Sequence, residues 1–109
     1  MTTFLEEKKY QIIYADPPCN FKGYDLKKAA RYVGKICADD CALFLWVTMP
    51  KLNEVMEVIK AWGFDYKTVA FTWVKRNKKS DSWFWGMGRW TRSNPELCLI
   101  ATKGNPKRI

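Results

Sequence analysis

Histidine is absent from this sequence, and its four cysteines show no paired spacing. Without histidine, a zinc site would have to use all four thiols. Their scattered positions do not predict such a site: Cys19, Cys37, Cys41 and Cys98. We therefore expect no metal site. Cysteines without a pairing pattern are typical of reducing compartments, so we expect free thiols in a cytoplasmic protein.

Long apolar runs are missing as well. No stretch approaches the ~18 consecutive apolar residues that a membrane span requires. Residues 1–9 are charged, unlike a secretory signal, so we expect no membrane segment. The chain also lacks internal repeats, low-complexity tracts and a linker, while 48% of its residues are hydrophobic and six are Trp. Residues 1–109 are therefore expected to form a single small, packed domain.

Acidic residues are few, because 11 Asp and Glu stand against 19 Lys and Arg, for a formal net charge of +8. Many of the cations lie close in sequence to aromatic residues, above all in the segment 76–92. Cations interleaved with planar rings suit a polyanion whose bases can stack, so this pattern favours a nucleic-acid partner. An ordinary solvated basic surface is the alternative.

Four segments rich in β-branched and aromatic residues predict strands, at 11–15, 43–48, 66–75 and 96–103. A strand, a helix and a strand joined by short connections are typical of a right-handed crossover in a parallel sheet. The last two strands, which a long aromatic segment separates, are expected to pair as an antiparallel hairpin. The predicted fold class is therefore α/β, with a mostly parallel sheet and an antiparallel terminal hairpin.

Two segments have helical periodicity. The first covers 26–33 and is expected to end at Gly34, because glycine commonly follows the last turn of a helix. The second begins near Pro50 and is expected to end at Gly63. Its apolar residues recur at spacings of three and four, which predicts one buried face made of Leu52, Val55, Met56, Ile59 and Trp62.

The first strand is followed directly by Asp16, Pro17 and Pro18. Proline cannot donate a backbone hydrogen bond, so the strand should stop here. Asp16 is then expected at the carboxyl end of the strand, where open α/β sheets bind their ligands. A carboxylate beside a rigid backbone carbonyl can accept both hydrogens of an amino group. The tripeptide therefore predicts an amine site, and an ordinary turn is the alternative.

Five blocks of sequence, taken together, make the chain resemble the MT-A type adenine methyltransferases. They occur in the family's order and cover most of the chain from residue 11 onward: 13–18, 43–48, 62–64, 71–75 and 91–98 with 103–106. The resemblance implies a Rossmann-like methyltransferase fold of the circularly permuted type, in which the cofactor-binding half follows the catalytic half. Residues 1–109 are then expected to form a partial domain, the catalytic and target-base half, with the cofactor-binding half absent.

The resemblance also implies roles for individual residues. The carboxylate of Asp16 and the backbone carbonyl of Pro17 would hold the target amine, and Pro18 would keep the turn rigid. The family carries an aromatic residue after Asp-Pro-Pro, where this chain has Cys19, so we expect weaker stacking on the base. The other residues implied to contact the substrate are Phe21, Tyr24, Trp46, Asn94 and Glu96.

Each of these five residues also has a purely structural interpretation. Phe21 and Tyr24 can belong to an ordinary surface loop, and Trp46 to the hydrophobic core. Asn94 and Glu96 can form the turn that leads into the last strand.

For the function, the resemblance implies methyl transfer from S-adenosylmethionine to N6 of adenine in a nucleic acid, with DNA favoured over RNA. The chain can also be inactive as a fragment of such an enzyme. The alternatives are a non-catalytic nucleic-acid-binding remnant and a supporting subunit of a complete methyltransferase. Because a partial sheet leaves an apolar edge beside the first strand, association with a second copy or another chain is expected.

Overall fold

The computed structural model of the protein describes residues 8–17, 23–86 and 90–108, and for 23–27 it describes the backbone alone. All four predicted strands and both predicted helices are present. In chain order, the elements are β1 (Tyr10–Ala15), α1 (Gly23–Ile36), β2 (Cys37–Thr48), a 3₁₀ turn (Met49–Lys51), α2 (Leu52–Ala61), β3 (Asp65–Trp73) and β4 (Glu96–Lys103).

The strands form one four-stranded sheet in the order β1-β2-β4-β3. β1 pairs with β2 in parallel, whereas β4 lies between β2 and β3 and runs antiparallel to both. The predicted antiparallel hairpin of β3 and β4 is confirmed. β1, β2 and β3 point the same way, but only one of the three described ladders is parallel, because β4 occupies the place beside β2. The prediction of a mostly parallel sheet therefore holds for strand direction and not for strand pairing.

The first helix is longer than its sequence pattern predicted. α1 continues past Gly34 to Ile36 and leads directly into β2 at Cys37. The described glycines with positive φ are Gly63 and Gly104, so Gly34 is not a left-handed C-cap. A β-carbon at Gly34 would meet nothing within 4 Å, so no neighbouring group forces the chain to turn there. The predicted end of the helix at this glycine was therefore wrong.

The second helix forms where its periodicity predicted it, but Leu52 and Met56 of the predicted buried face are only partly buried, and Val58, outside that set, is buried. Pro50 lies in the 3₁₀ turn that leads into α2, where its missing N–H costs no hydrogen bond. Gly63 follows the helix with a φ of 86°, a left-handed conformation that favours glycine. The side chains that α2 buries are Val55, Val58 and Ile59, and Trp62 just after it is buried with them.

The hydrophobic core lies on one face of the sheet. Along β2 the side chains alternate between buried and partly exposed, as the two-residue period of a strand requires. The buried row packs with β4 and with the inner face of α2, and it consists of Cys41, Leu43, Leu45 and Val47. The opposite face carries large exposed side chains, including Tyr14, Phe71 and Trp73. The candidate site lies on this open face.

Within residues 8–17, 23–86 and 90–108, no helix is long and apolar enough to cross a membrane. No group of three or more His, Cys, Asp or Glu side chains in the same ranges is placed to hold a metal ion. Cys37, Cys41 and Cys98 are buried free thiols.

Candidate functional site

A pocket of about 580 Å³ opens at one end of the sheet. β1, β2 and β3 point in one direction and β4 in the other, so three carboxyl ends and one amino end meet at the same edge. This arrangement brings together three predicted site residues that are distant in sequence: Asp16, Trp46 and Glu96. The complete lining is Tyr14, Asp16, Trp46, Phe71, Thr72, Trp73 and Glu96.

The strand register explains why these side chains share a face. Residues directly opposite each other on neighbouring strands point to the same side of a sheet. Glu96 of β4 pairs with Trp73 of β3, and Cys98 of β4 pairs with both Trp46 of β2 and Phe71 of β3. Two cross-strand rows therefore place one carboxylate and three aromatic rings on the open face.

Trp46 lies in the wall of the pocket and not in the core. Its ring meets that of Trp73 edge to face, with 6.4 Å between the ring centres and 79° between the ring planes. Its indole N–H donates a hydrogen bond to the hydroxyl of Tyr14. Because both contacts hold the indole in one orientation, the aromatic wall is in place before any ligand arrives.

Asp16 follows the end of β1 and is exposed, and Pro17 beside it is half-buried. Among the described ion pairs, none involves Asp16, so its oxygens remain available to a ligand. Burial raises the pKa of the Cys98 thiol, and the negative charge of Asp16 raises it further. The carboxylate of Asp16 therefore influences the pKa of Cys98 in β4, beneath the pocket, and Cys98 stays a neutral thiol.

Glu96 is the second carboxylate of the pocket, and it is paired. The ammonium of Lys75 lies 2.6 Å from a carboxylate oxygen of Glu96, and both side chains are half-buried. The same ammonium lies 5.1 Å from the ring centre of Trp73 and 5.6 Å from that of Phe84. Cation–π attraction adds to the ion pair at such distances. Lys75 therefore fixes Glu96 and Trp73 relative to each other.

Asn94 binds the backbone of the segment that follows β3. Its side-chain oxygen accepts a hydrogen bond of 2.7 Å from the N–H of Lys75, and its amide nitrogen donates to the carbonyl of Lys75 at 2.9 Å. The amide nitrogen also donates to the carbonyl of Phe84 at 2.6 Å. Asn94 is not among the lining residues of the pocket. In this structure its contacts hold Lys75 in place.

Four predicted site residues have no described side chain. Pro18, Cys19 and Phe21 lie outside the described residues. Tyr24 was expected in a loop, which was wrong, because α1 begins at Gly23 and includes it. The roles predicted for them stay predictions.

Sequence reasoning missed several lining residues: Tyr14, Phe71, Thr72 and Trp73. A signal for three of them was available. Tyr14 lies two residues before Asp16, near the end of the same strand. Phe71 and Trp73 alternate at the end of a strand that points the same way. The contact of Lys75 with Glu96 had no such signal, because it depends on the pairing of β3 with β4.

Comparison with known proteins relates the chain to one family. Residues 10–109 match the family model MT-A70. The chain is 35% identical over 132 residues to the type II methyltransferase M.MunI of Mycoplasma sp, which covers 92% of this chain and 54% of that protein. It is 29% identical over 106 residues to the human N(6)-adenosine-methyltransferase catalytic subunit METTL3, which covers 91% of this chain and 18% of that protein.

A solved structure has a similar fold. The crystal structure of the M1.HpyAVI-SAM complex matches with a TM-score of 0.62 and 24% identity, over 95% of this chain and 49% of that chain. The chain thus spans about half the length of the protein in that crystal structure and of the Mycoplasma methyltransferase, and less than a fifth of METTL3.

Proposed function

Because the chain belongs to the MT-A70 family, we propose that its pocket receives an adenine of a nucleic acid for methyl transfer to the exocyclic N6 amine, with S-adenosylmethionine as the methyl donor. The observation that carries this proposal is the position of Asp16, an exposed carboxylate beside exposed aromatic rings at the end of β1. A carboxylate accepts hydrogen bonds from an amine, and aromatic rings stack on a planar base. Adenine combines both features.

The reaction requires little of the protein beyond positioning of the target amine. The amine of adenine is a poor nucleophile, because its lone pair is delocalised into the ring. A carboxylate oxygen of Asp16 and the backbone carbonyl of Pro17 would each accept one N–H bond, which favours a pyramidal nitrogen with a free lone pair. Pro18 would keep this turn rigid. The rate gain would come from orientation and preorganised electrostatics, and the N6 proton can leave after methyl transfer.

Stacking would supply the second part of base binding. Tyr14 is 69% exposed and Phe71 is 61% exposed, although both are large aromatic side chains. Base–aromatic stacking contributes about 1–3 kcal/mol per base. We propose that the rings of the pocket take over part of the stacking that the family assigns to the position occupied here by Cys19.

The lining also fits a cationic methyl donor. It contains the carboxylates of Asp16 and Glu96 and four aromatic rings, and none of its seven side chains is Lys or Arg. Carboxylates and aromatic faces both attract positive charge. When bound, S-adenosylmethionine supplies an electrophilic methyl group on its sulfonium sulfur. Asp16 would face this positive charge, whereas the charge of Glu96 is compensated by Lys75.

We propose DNA as the acceptor ahead of RNA. The blocks 43–48 and 92–96 resemble those of bacterial family members, and the match covers 54% of the Mycoplasma type II methyltransferase, against 18% of human METTL3. Because the chain spans only part of each relative, the activity and the partners of the whole protein belong to this proposal.

A second candidate is a non-catalytic nucleic-acid-binding module or a supporting subunit. Cys19 at the family's aromatic position favours it, as do the edges of the described sheet. β1 and β3 each have a neighbour on one side only, so their free backbone groups can pair with a second copy or another chain.

The pocket can be tested by comparing adenosine with inosine, which carries an oxygen in place of the N6 amine. Trp46 and Trp73 line the pocket, so ligand binding can be followed by tryptophan fluorescence. Adenosine should bind more tightly. Asp16→Ala should reduce that preference at least about tenfold, because a hydrogen bond to a charged group contributes roughly 1.5–3 kcal/mol.

Asp65→Ala is the matched control, since it removes an exposed carboxylate at the first residue of β3, away from the pocket. It should leave the preference unchanged. In the presence of S-adenosylmethionine, Asp16→Ala should also abolish methylation of an adenine-containing oligonucleotide. An unchanged preference and an unchanged rate in Asp16→Ala would contradict the proposed mechanism. A preference for adenosine without methyl transfer by the unaltered protein would favour the second candidate.

A further inference from the structure

Two arginine–tryptophan pairs lie between β3 and β4. The guanidinium of Arg76 lies 5.6 Å from the ring centre of Trp83, and that of Arg92 lies 5.6 Å from the ring centre of Trp85. Both indoles remain open to solvent, with Trp83 58% and Trp85 70% exposed. None of the four residues lines the pocket. Each pair offers an exposed ring beside a fixed positive charge.

The backbone orders the first pair. Arg76 and Trp83 form an isolated antiparallel bridge, and the N–H of Asn77 donates a hydrogen bond of 2.9 Å to the carbonyl of Ser82 within it. The side chain of Asn77 also donates to the hydroxyl of Ser82 at 2.8 Å. Residues paired across an antiparallel bridge point to the same side. The contact of Arg76 with Trp83 is therefore built into a short hairpin.

Alternation along the chain then relates the two indoles. Phe84 lies against Lys75, and it faces away from the bridged pair because neighbouring residues of an extended chain point to opposite sides. Continued alternation would return Trp85 to the side of Trp83.

The segment that carries the indoles is anchored at two places. The carbonyl of Phe84 accepts a hydrogen bond from the amide of Asn94. Gly86 is buried with its α-carbon so close to the backbone carbonyl of Ser93 that a β-carbon would overlap it. Side chains held in this way lose less conformational entropy when a ligand binds.

We propose that Trp83, Trp85, Arg76 and Arg92 form a platform that binds single-stranded nucleic acid on the side of the hairpin opposite to Lys75. This inference rests on the proposed function, in which the platform holds a stretch of the strand that flanks the target adenine. The indoles stack on unpaired bases, the guanidinium of Arg92 pairs with a phosphate between them, and that of Arg76 does so by exchanging its exposed partner Asp81 for a phosphate.

Lys75 connects the platform to the pocket. Its ammonium pairs with Glu96 and lies over Trp73, both of which line the pocket. The next residue along the chain is Arg76, the first residue of the platform. The platform and the pocket are therefore adjacent along the backbone, while Lys75 and Arg76 point to opposite sides of it.

Charge complementarity favours a polyanion over a protein as the ligand. A single exposed acid, Asp81, lies in the same stretch, and its carboxylate pairs with Arg76. Protein–protein interfaces, in contrast, are depleted of charged residues at their centres. The exposed cations of the described stretch are Arg76, Lys78, Lys79 and Arg92.

Fluorescence anisotropy with a short labelled oligothymidylate and its oligouridylate counterpart tests the proposal. Neither probe contains adenine, so the amine recognition proposed for Asp16 does not contribute to binding. The double substitution Trp83→Ala/Trp85→Ala should weaken binding at least about tenfold, because two stacking rings are lost. Trp83→Phe/Trp85→Phe keeps an aromatic ring at both positions and should restore most of the affinity. Tighter binding of thymidylate would assign DNA to the platform, and tighter binding of uridylate would assign RNA.

Charge is tested separately. Arg76→Gln/Arg92→Gln should flatten the decrease of affinity with salt, because fewer counterions are released. Tyr32→Ala on α1 and Lys60→Gln on α2 remove an exposed ring and an exposed cation elsewhere, and both should leave affinity and salt dependence unchanged.

Unchanged affinity in the Trp83→Ala/Trp85→Ala protein, with an unchanged melting curve, would overturn the platform. A changed oligomeric state in ultracentrifugation, without a change in oligonucleotide affinity, would assign the surface to a protein partner and overturn it as well. Either failure leaves the proposed function standing, because that function is tested by the preference for adenosine.

Discussion

The indole N–H of Trp46 donates a hydrogen bond of 2.8 Å to the hydroxyl of Tyr14. This bond joins β1 to β2 two residues before Asp16, and on its other side Trp46 meets Trp73 of β3. One ring thus connects three strands at the mouth of the pocket. A base that enters meets rings already held in place, so little side-chain entropy is lost on binding.

The first prediction concerns the stacking surface. Trp73→Ala should weaken adenosine binding by roughly 5- to 150-fold, since stacking on one ring contributes about 1–3 kcal/mol. Calorimetric titration measures this directly. Trp90→Ala is the control, because Trp90 is 98% exposed and lies outside the pocket. Equal losses in the two variants would show that the pocket does not bind the base by stacking on Trp73.

The second prediction concerns the ion pair of Lys75 and Glu96. Lys75→Met leaves a half-buried carboxylate without its partner, so the free energy of unfolding should fall by about 1–3 kcal/mol. Lys51→Met breaks the exposed pair of Lys51 with Glu54 on α2 and should cost no more than about 0.5 kcal/mol. Urea denaturation of both variants measures the two losses of unfolding free energy. A similar small loss in both would mean that the Lys75 pair is no stronger than a surface pair.

Local features of the fold were predictable where a local cause sets them. The bounds of β4 coincide with the predicted segment 96–103, because its apolar run ends at Gly104, which adopts a φ of 68°. Asp16 was found from its place after a strand and before two prolines. Gly34 misled the prediction because a glycine in a helix and a glycine after one look alike in sequence.

Long-range features were not predictable in the same way. β4 takes the place beside β2, which puts Glu96 opposite Trp73 and within reach of Lys75. No local pattern specifies which strand fills that place. The pairing was foreseen for β3 and β4 as a hairpin, but their position in the sheet depends on packing of the whole domain.

The third prediction uses two glycines as a matched pair. Gly86→Ala should lower the free energy of unfolding by about 1–3 kcal/mol, because its β-carbon would overlap the backbone carbonyl of Ser93. Gly34→Ala should raise it by about 0.4–1 kcal/mol, since the site lies within α1, has no neighbour within 4 Å and has no positive φ. The melting temperature should fall in Gly86→Ala and rise in Gly34→Ala. A shift of both variants in the same direction would contradict the packing described for Gly86.

The fourth prediction concerns stability at alkaline pH. Burial raises the pKa of Cys98 and of Cys41 above the ordinary value of 9.0; Asp16 adds to the increase at Cys98, and the neighbouring Cys37 adds to it at Cys41. The unfolded chain therefore loses these thiol protons at a lower pH than the folded protein. Their contribution to stability is fully present below about pH 9 and is lost as the pH rises through the folded pKa values.

The free energy of unfolding, measured by denaturation between pH 8 and pH 11, should therefore fall less steeply with pH in Cys98→Ala than in the unaltered protein. Asp16→Asn removes the nearby negative charge, so it should also reduce the steepness. Added to Cys98→Ala, it should have no further effect on the slope, because the thiol it acts on is gone. Equal effects of Asp16→Asn with and without Cys98 would mean that the carboxylate does not act on the thiol, and the placement of Asp16 over the floor of the pocket would be wrong.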